Sequence, residues 1–165
     1  MKLVTLLSAA TLLAAPLSAG DYDAIGKAMR QAWPQVATVA VVCDSVGSKS
    51  ALEAITSALP GVKLIVVDVK GQADMGKALG TLSSRHPDAV VLVAGDRVVG
   101  DGSSAATFLI QRMAAAKVPT LATTEAGVRQ GAVLGIGPGT GGKLLANAKV
   151  AGVAGVTIPA GASQI

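Results

Sequence analysis

Short apolar runs alternate with amphipathic stretches along most of the chain. The runs lie at residues 38–43, 63–69, 88–95, 119–123 and 132–137, and several are rich in valine. Near-continuous apolar runs are typical of strands that are covered on both faces of a sheet. The pattern therefore predicts five strands, and we expect Val41, Val66 and Val91 to be core residues of central strands.

The stretches between the runs have the apolar spacing of helices. DYDAIGKAMRQAWP places apolar residues at 22, 25, 29, 32 and 33, and Pro34 ends the pattern. Ser50 and Glu53 form the S-x-x-E of a capping box, which predicts the start of the next helix. Further helices are predicted at 73–84, 105–117, 124–130 and, after the glycine-rich PGTGG, near KLLANAKV.

Strands that alternate with helices predict an α/β fold with a parallel sheet. We expect a single doubly wound sheet of about five strands in the order 2-1-3-4-5, which is the flavodoxin-like arrangement. No internal repeat or linker divides the chain after residue 20. The sequence thus predicts one α/β lobe over residues 21–165.

The first twenty residues, MKLVTLLSAATLLAAPLSAG, have the layout of a secretory signal peptide: an early lysine, an apolar centre and small residues at the end. A buried N-terminal helix is the alternative. The apolar run is short for a membrane span, and no cysteine stands directly after the predicted cleavage region to carry a lipid. We therefore expect an exported, periplasmic protein without a stable membrane anchor.

Composition excludes several functional classes. The net charge of +4 comes from basic residues spread along the chain, and the only aromatic residues are Tyr22, Trp33 and Phe108. Nucleic-acid sites need a basic stripe, often with stacking aromatics, so no nucleic-acid partner is expected.

Cysteine and histidine each occur once in the chain, as Cys43 and His86. Soft-metal sites need more such residues, and no motif places the histidine as a base beside the cysteine or beside another nucleophile. We expect no metal, no cofactor and no enzymatic activity, with Cys43 buried at a strand end and His86 in a surface turn.

Polar residues follow the predicted strands, where a parallel sheet presents its ligand-binding loops. The candidate ligand-binding residues are Asp44, Ser45, Asp96, Thr123, Thr124 and Glu125. Asp68 to Gly71, Arg97 and the glycine-rich segment 137–142 also follow strands, but GPGTGG lacks the Lys–Ser/Thr pair of a phosphate-binding loop. Helix capping is the alternative role for Asp44, Ser45, Thr123 and Thr124.

The order of these segments resembles the periplasmic binding protein-like family, the type I substrate-binding proteins of ABC transporters that include tryptophan- and tyrosine-binding relatives. The resemblance covers residues 24 to 159. AWPQVATVAVVCD and DAVVLVAGDRVV carry it, as do KVPTLATTEAGVRQGAVLGIG and the closing GGKLLANAKVAGVAGVTIP.

The resemblance implies that the chain corresponds to the second of two lobes that close around a ligand. One hypothesis is a solute-binding module for a small polar or zwitterionic solute, which works for or alongside an ABC transporter. Its cleft would be completed by a second copy or by another lobe. The other hypothesis is a periplasmic accessory protein that uses the lobe to dock a protein partner.

Overall fold

The computed structural model describes residues 19–137 and 142–165. The helices in these residues are α1 Ala19–Ala32, α2 Lys49–Ala58, α3 Met75–Arg85, α4 Ser104–Ala115, α5 Glu125–Arg129 and α6 Ala148–Ala154. The strands are β1 Thr38–Cys43, β2 Lys63–Asp68, β3 Ala89–Val91, β4 Thr120–Leu121, β5 Leu134–Ile136, β6 Leu144–Ala146 and β7 Ser163–Gln164.

All of these strands belong to one sheet in the order β2-β1-β3-β4-β5-β6-β7. The first five strands in this order run parallel to one another. Val41 of β1 lies opposite Val66 of β2 on one side and Val91 of β3 on the other. Parallel strands end at the same edge of a sheet, so the loops after β1 to β4 share one edge. The predicted 2-1-3-4-5 order is confirmed.

Two apolar cores flank the sheet, one on each face. Val39, Val41 and Cys43 point into the core beneath α1 and α2. Ala40 and Val42 point into the core beneath α3 and α4. Successive side chains of a strand point to opposite faces, so β1 needs apolar residues throughout its length. The doubly wound prediction is confirmed.

Val66 is not the core residue that the valine run predicts. Val41 and Val91 are buried, but Val66 is 44% exposed. The reason is strand order: β2 is the edge strand of the sheet and has a neighbour on one side only. Apolar content predicts a strand, but it does not say whether that strand lies at the edge.

The segment predicted as a helix near KLLANAKV begins as a strand. Leu144 to Ala146 form β6, which pairs antiparallel with β5, and α6 starts only after Asn147. The Asn147 side chain caps α6 by accepting a hydrogen bond from the Val150 N–H at 3.1 Å. Pairing with β5 outweighs the local helical pattern, so the described sheet has seven strands and one antiparallel pair instead of five parallel strands.

The predicted capping box at Ser50 and Glu53 is also wrong. Helix α2 begins at Lys49 and its N-cap is Ser48, which makes no side-chain capping bond. The Ser48 hydroxyl instead donates to Asp96 Oδ2 at 2.7 Å. A tertiary contact thus replaces the local cap and starts the helix earlier.

Other sequence predictions fall within the described residues. Cys43 is buried at the end of β1, and His86 is exposed in the turn after α3, where its φ of 47° is left-handed. Both predictions are confirmed. None of the described helices has the length and apolar character needed to cross a bilayer. Most of the predicted signal peptide, residues 1–18, lies outside the described residues.

Candidate functional site

The carboxyl edge of the sheet carries the polar loops that follow β1 to β4. Helix α1 also reaches this edge, because the Tyr22 hydroxyl accepts a hydrogen bond from the Ala94 N–H at 3.0 Å. Buried Tyr22 thereby fixes the start of the loop between β3 and α4. This loop, residues 92–103, is central to the edge because each of its two aspartates bonds to a different neighbouring loop.

Asp44 is a buried carboxylate that two exposed cations share. Lys70 Nζ lies 2.6 Å from its Oδ1, and Arg97 Nε lies 2.5 Å from its Oδ2. The Asp44 side chain is 8% exposed, whereas those of Lys70 and Arg97 are 48% and 62% exposed. Hydrogen bonds from Lys70 and then Arg97 lower the pKa of Asp44 below its ordinary value. Both cations are consequently held at the surface by one ionised group.

Asp68 anchors the loops after β1 and β2 to each other. Its Oδ1 accepts from the Ser45 N–H at 2.9 Å, the Ser45 hydroxyl at 2.7 Å and Lys70 Nζ at 3.0 Å. The hydrogen bonds from Ser45 and Lys70 lower the pKa of Asp68 to about 2. Asp44 and Asp68 together raise the pKa of Lys70, so its ammonium stays charged over the whole physiological range.

Asp96 uses both carboxylate oxygens within the protein. Its Oδ2 accepts from the Asp44 N–H at 2.8 Å and the Ser48 hydroxyl at 2.7 Å. Its Oδ1 accepts from the backbone N–H groups of Val98 and Val99 at 2.9 and 2.8 Å. This carboxylate therefore joins the loop after β1 to the loop after β3. It also fixes the backbone position from which the Arg97 side chain extends.

Asp101 ties the other end of the same loop to the segment that follows β4. Its Oδ2 accepts from both the N–H and the hydroxyl of Thr123, each at 2.7 Å. Its Oδ1 is buried and has no partner among the described residues. The carboxyl group packs beside Gly127, where a Cβ would lie 3.4 Å from the Asp101 carboxyl and 2.4 Å from the Ala122 Cβ. Only glycine fits at position 127.

Thr124 and Glu125 lie at the start of α5. Thr124 is the N-cap, and its hydroxyl oxygen accepts from the Gly127 N–H at 3.3 Å. Glu125 forms an i,i+4 pair with Arg129, whose Nη2 lies 2.5 Å from Glu125 Oε1. The capping role that the sequence left open is thus filled by Thr124, while Thr123 bonds to Asp101 instead.

The six candidate residues form two groups at this edge. Asp44, Ser45 and Asp96 belong to the network on the side of β1, and Thr123, Thr124 and Glu125 surround the end of β4. The loop between β3 and α4 joins the groups through its two aspartates, Asp96 and Asp101. Four interacting residues were absent from the candidate set: Asp68, Lys70, Arg97 and Asp101.

The positions of these four residues along the chain were a partial indication of their role. Asp68 ends β2, and the other three lie in loops that follow parallel strands, which is where ligands meet such sheets. Nothing in the sequence indicated that Lys70 and Arg97 converge on Asp44. Along the chain, Lys70 lies 26 positions and Arg97 lies 53 positions from that aspartate. Their convergence depends on the pairing of β1 with both β2 and β3.

Other parts of the molecule have less to offer a polar ligand. A small apolar cavity lies beneath α1 and α2 and is lined by residues such as Met29, Ile55 and Leu121. Burial raises the pKa of Cys43 to about 12, so its thiol is protonated and a poor nucleophile at neutral pH. Across residues 19–137 and 142–165, no group of three acidic, His or Cys side chains is arranged to hold a metal ion.

No protein-family model and no curated protein matches the chain. Solved structures do match its fold. An ABC domain from Streptococcus pneumoniae in complex with L-Trp superposes with a TM-score of 0.73 at 17% identity, over 87% of this chain and 61% of that one. A conserved domain protein from Vibrio cholerae gives a TM-score of 0.71 at 19% identity, over 87% and 59%.

A third similar structure is a ligand-free, open substrate-binding protein with adhesive properties from Clostridium difficile. Its TM-score is 0.69 at 15% identity, over 84% of this chain and 57% of that one. The chain therefore spans 57–61% of the length of these structures. The resemblance to one lobe of the substrate-binding proteins is confirmed for the fold.

Proposed function

We propose that the chain is the solute-binding lobe of an exported binding protein, and that the carboxyl edge of its sheet binds a small polar or zwitterionic solute. The observation that carries the proposal is the convergence at this edge of exposed donors and acceptors from the loops after β1 to β4. Hydroxyls, carboxylates and two cations lie on these loops, which the bonds of Asp44, Asp96 and Asp101 hold together.

The fold supports the same proposal. Two of the similar structures are described as a domain bound to L-Trp and as a substrate-binding protein. A doubly wound sheet binds ligands outside the carboxyl ends of its strands, which is the edge that carries these residues. We propose that an ABC transporter receives the solute, and that a second copy or another lobe completes the cleft.

A thermal-shift screen tests solute binding. Amino acids and small carboxylates at millimolar concentration are expected to raise the melting temperature, because a ligand that binds only the folded state stabilises it. A variant with Ser45→Ala and Glu125→Gln changes both groups of the site. It is expected to stay folded and to lose the ligand-induced shift.

The matched control carries Ser57→Ala and Glu53→Gln on the exposed face of α2, away from the carboxyl edge. It makes the same chemical changes and is expected to keep the shift. If no solute moves the melting temperature of the unmodified protein, solute binding by this lobe is rejected. Native mass spectrometry of the exported protein reports in parallel any retained ligand and any second copy.

Docking of a protein partner is the second candidate. The observation that favours it is Val46, an apolar residue that is 79% exposed in the loop after β1. A Val46→Asp variant that loses a co-purifying periplasmic protein, with unchanged solute shifts, would support docking.

Export is proposed from residues 1–20. The N-terminal sequence of the protein recovered from the periplasm is expected to begin near Gly20 or Asp21. An intact Met1 in that pool would contradict export through a cleaved signal peptide.

A further inference from the structure

Two cations and one buried carboxylate form a compact arrangement at the carboxyl edge. Asp44 binds Lys70 through one oxygen and Arg97 through the other. Because the two oxygens belong to one carboxyl group, the two cations are held side by side. A buried carboxylate that is ionised requires such partners, so their positions are fixed by the fold and not by chance contacts at the surface.

Each cation keeps donors that these bonds do not use. Arg97 contacts Asp44 through Nε, and its Nη1 and Nη2 take no part in that bond. Lys70 has three N–H donors, and its bonds to Asp44 and Asp68 use two of them. Guanidinium and ammonium groups that are already oriented lose little entropy when they bind an anion.

Asp44 and Asp96, by contrast, have no carboxylate oxygen without a partner. Asp44 binds a cation through each oxygen, and Asp96 accepts two hydrogen bonds through each. A positively charged group approaching this side of the site would meet the outward donors of Lys70 and Arg97 first. At Asp44 and Asp96 the geometry therefore favours an anion over a cation. Of the three carboxylates in this network, only Asp68, whose side chain is 45% exposed and which bonds Ser45 and Lys70 through Oδ1, can still accept a donor there.

We infer that Arg97 and Lys70 form the seat for the anionic end of the solute, a carboxylate, with Asp44 as the positioning residue beneath them. The inference rests on the proposed function and assigns one end of the ligand within that site. Asp44, Asp68 and Asp96 outnumber the two positive charges, so the seat acts through the directed hydrogen bonds of Lys70 and Arg97 and not through net charge. An isolated carboxylate is therefore expected to bind weakly, in the millimolar range, and a full solute more tightly.

Sodium acetate is the probe for this seat, and the readout is a two-dimensional ¹H–¹⁵N NMR titration. Sodium chloride and methylammonium chloride at equal ionic strength are the references. Acetate is expected to cause saturable shifts of the backbone amides at 44–48, 70–71 and 97–99. The two references are expected to cause small, non-saturating shifts.

Three variants make the assignment specific. Arg97→Lys keeps a positive charge against Asp44 but removes the guanidinium donors, and it is expected to weaken acetate binding about tenfold. Lys70→Gln is an independent second variant with the same expected direction. Arg85→Gln, an exposed arginine at the end of α3, is the control and is expected to bind acetate as the unmodified protein does.

Acetate shifts that equal those of chloride, or that persist in both Arg97→Lys and Lys70→Gln, would overturn the seat. If amino acids still raise the melting temperature in that case, solute binding stands and only the placement of the anion fails. If acetate binds as expected but no amino acid stabilises the protein, the seat stands and the zwitterionic solute is rejected.

Discussion

Asp96 should be the polar residue on which the carboxyl edge depends most strongly. Its residue surface is only 8% exposed, and its two oxygens accept four hydrogen bonds from two loops. Asp96→Asn keeps the size of the side chain but replaces one acceptor oxygen with an amide donor. The variant therefore isolates the loss of acceptor capacity from the loss of packing.

The size of the effect follows from the partners. An amide in place of Oδ2 can donate to the Ser48 hydroxyl oxygen, because a hydroxyl both donates and accepts. The Asp44 N–H then loses its acceptor, and a buried donor without a partner costs about 1–3 kcal/mol. Loss of the charge also weakens the two bonds from Val98 and Val99. The expected decrease in the free energy of unfolding is about 2–3 kcal/mol.

Urea denaturation followed by circular dichroism measures this change. For a chain of this length, the expected fall in melting temperature is about 4–12 °C. Asp88→Asn is the control, since Asp88 Oδ2 accepts from the Ala37 and Thr38 N–H groups at an exposed position. The oxygen that asparagine retains can accept both of those bonds, so that variant should lose less than about 1 kcal/mol.

An Asp96→Asn variant within about 0.5 kcal/mol of the unmodified protein, or no less stable than Asp88→Asn, would refute the reasoning. Asp96→Ala provides a second check, because it removes the acceptor for all four donors. It should be less stable than Asp96→Asn by the same assay. The reverse order would mean that the four bonds do not determine stability here.

Three further outcomes are expected. Val91→Ala should lower the free energy of unfolding by about 1–3 kcal/mol because its side chain is buried, whereas Val66→Ala should cost less than about 1 kcal/mol; equal urea midpoints would contradict the placement of β2 at the edge. Asp68 has a pKa lowered from 3.8 to about 2 in the folded state. The stability that its ionised form contributes is therefore present above pH 4 and is lost as the pH falls toward 2. Between pH 5 and pH 2, the free energy of unfolding should decline less steeply for Asp68→Asn than for the unmodified protein. Gly127→Ala should destabilise the protein by about 1–3 kcal/mol, because the new Cβ would lie 2.4 Å from the Ala122 Cβ. A melting temperature equal to that of the unmodified protein would disprove this close approach.

The pattern of apolar residues was enough to predict the fold class and much of the edge. TVAVVC is apolar at every position but its first, and a strand with that property must be buried on both faces. Alternation of strands and helices then requires parallel strands with right-handed crossovers. Because such strands all end at one edge, Asp44, Asp96 and Thr123 could be placed there from sequence.

Tertiary structure alone decided which strand is exposed and which polar groups meet. Val66 and Val91 have similar local sequences. Only the positions of their strands in the sheet leave Val66 partly exposed and Val91 buried. The β6 strand forms because β5 offers a free edge, which a local helical pattern cannot reveal. Lys70 and Arg97 lie far from Asp44 along the chain and reach it only because β2 and β3 pair with opposite sides of β1. Local sequence determines whether a residue follows a strand, whereas long-range pairing determines which side chains are its neighbours.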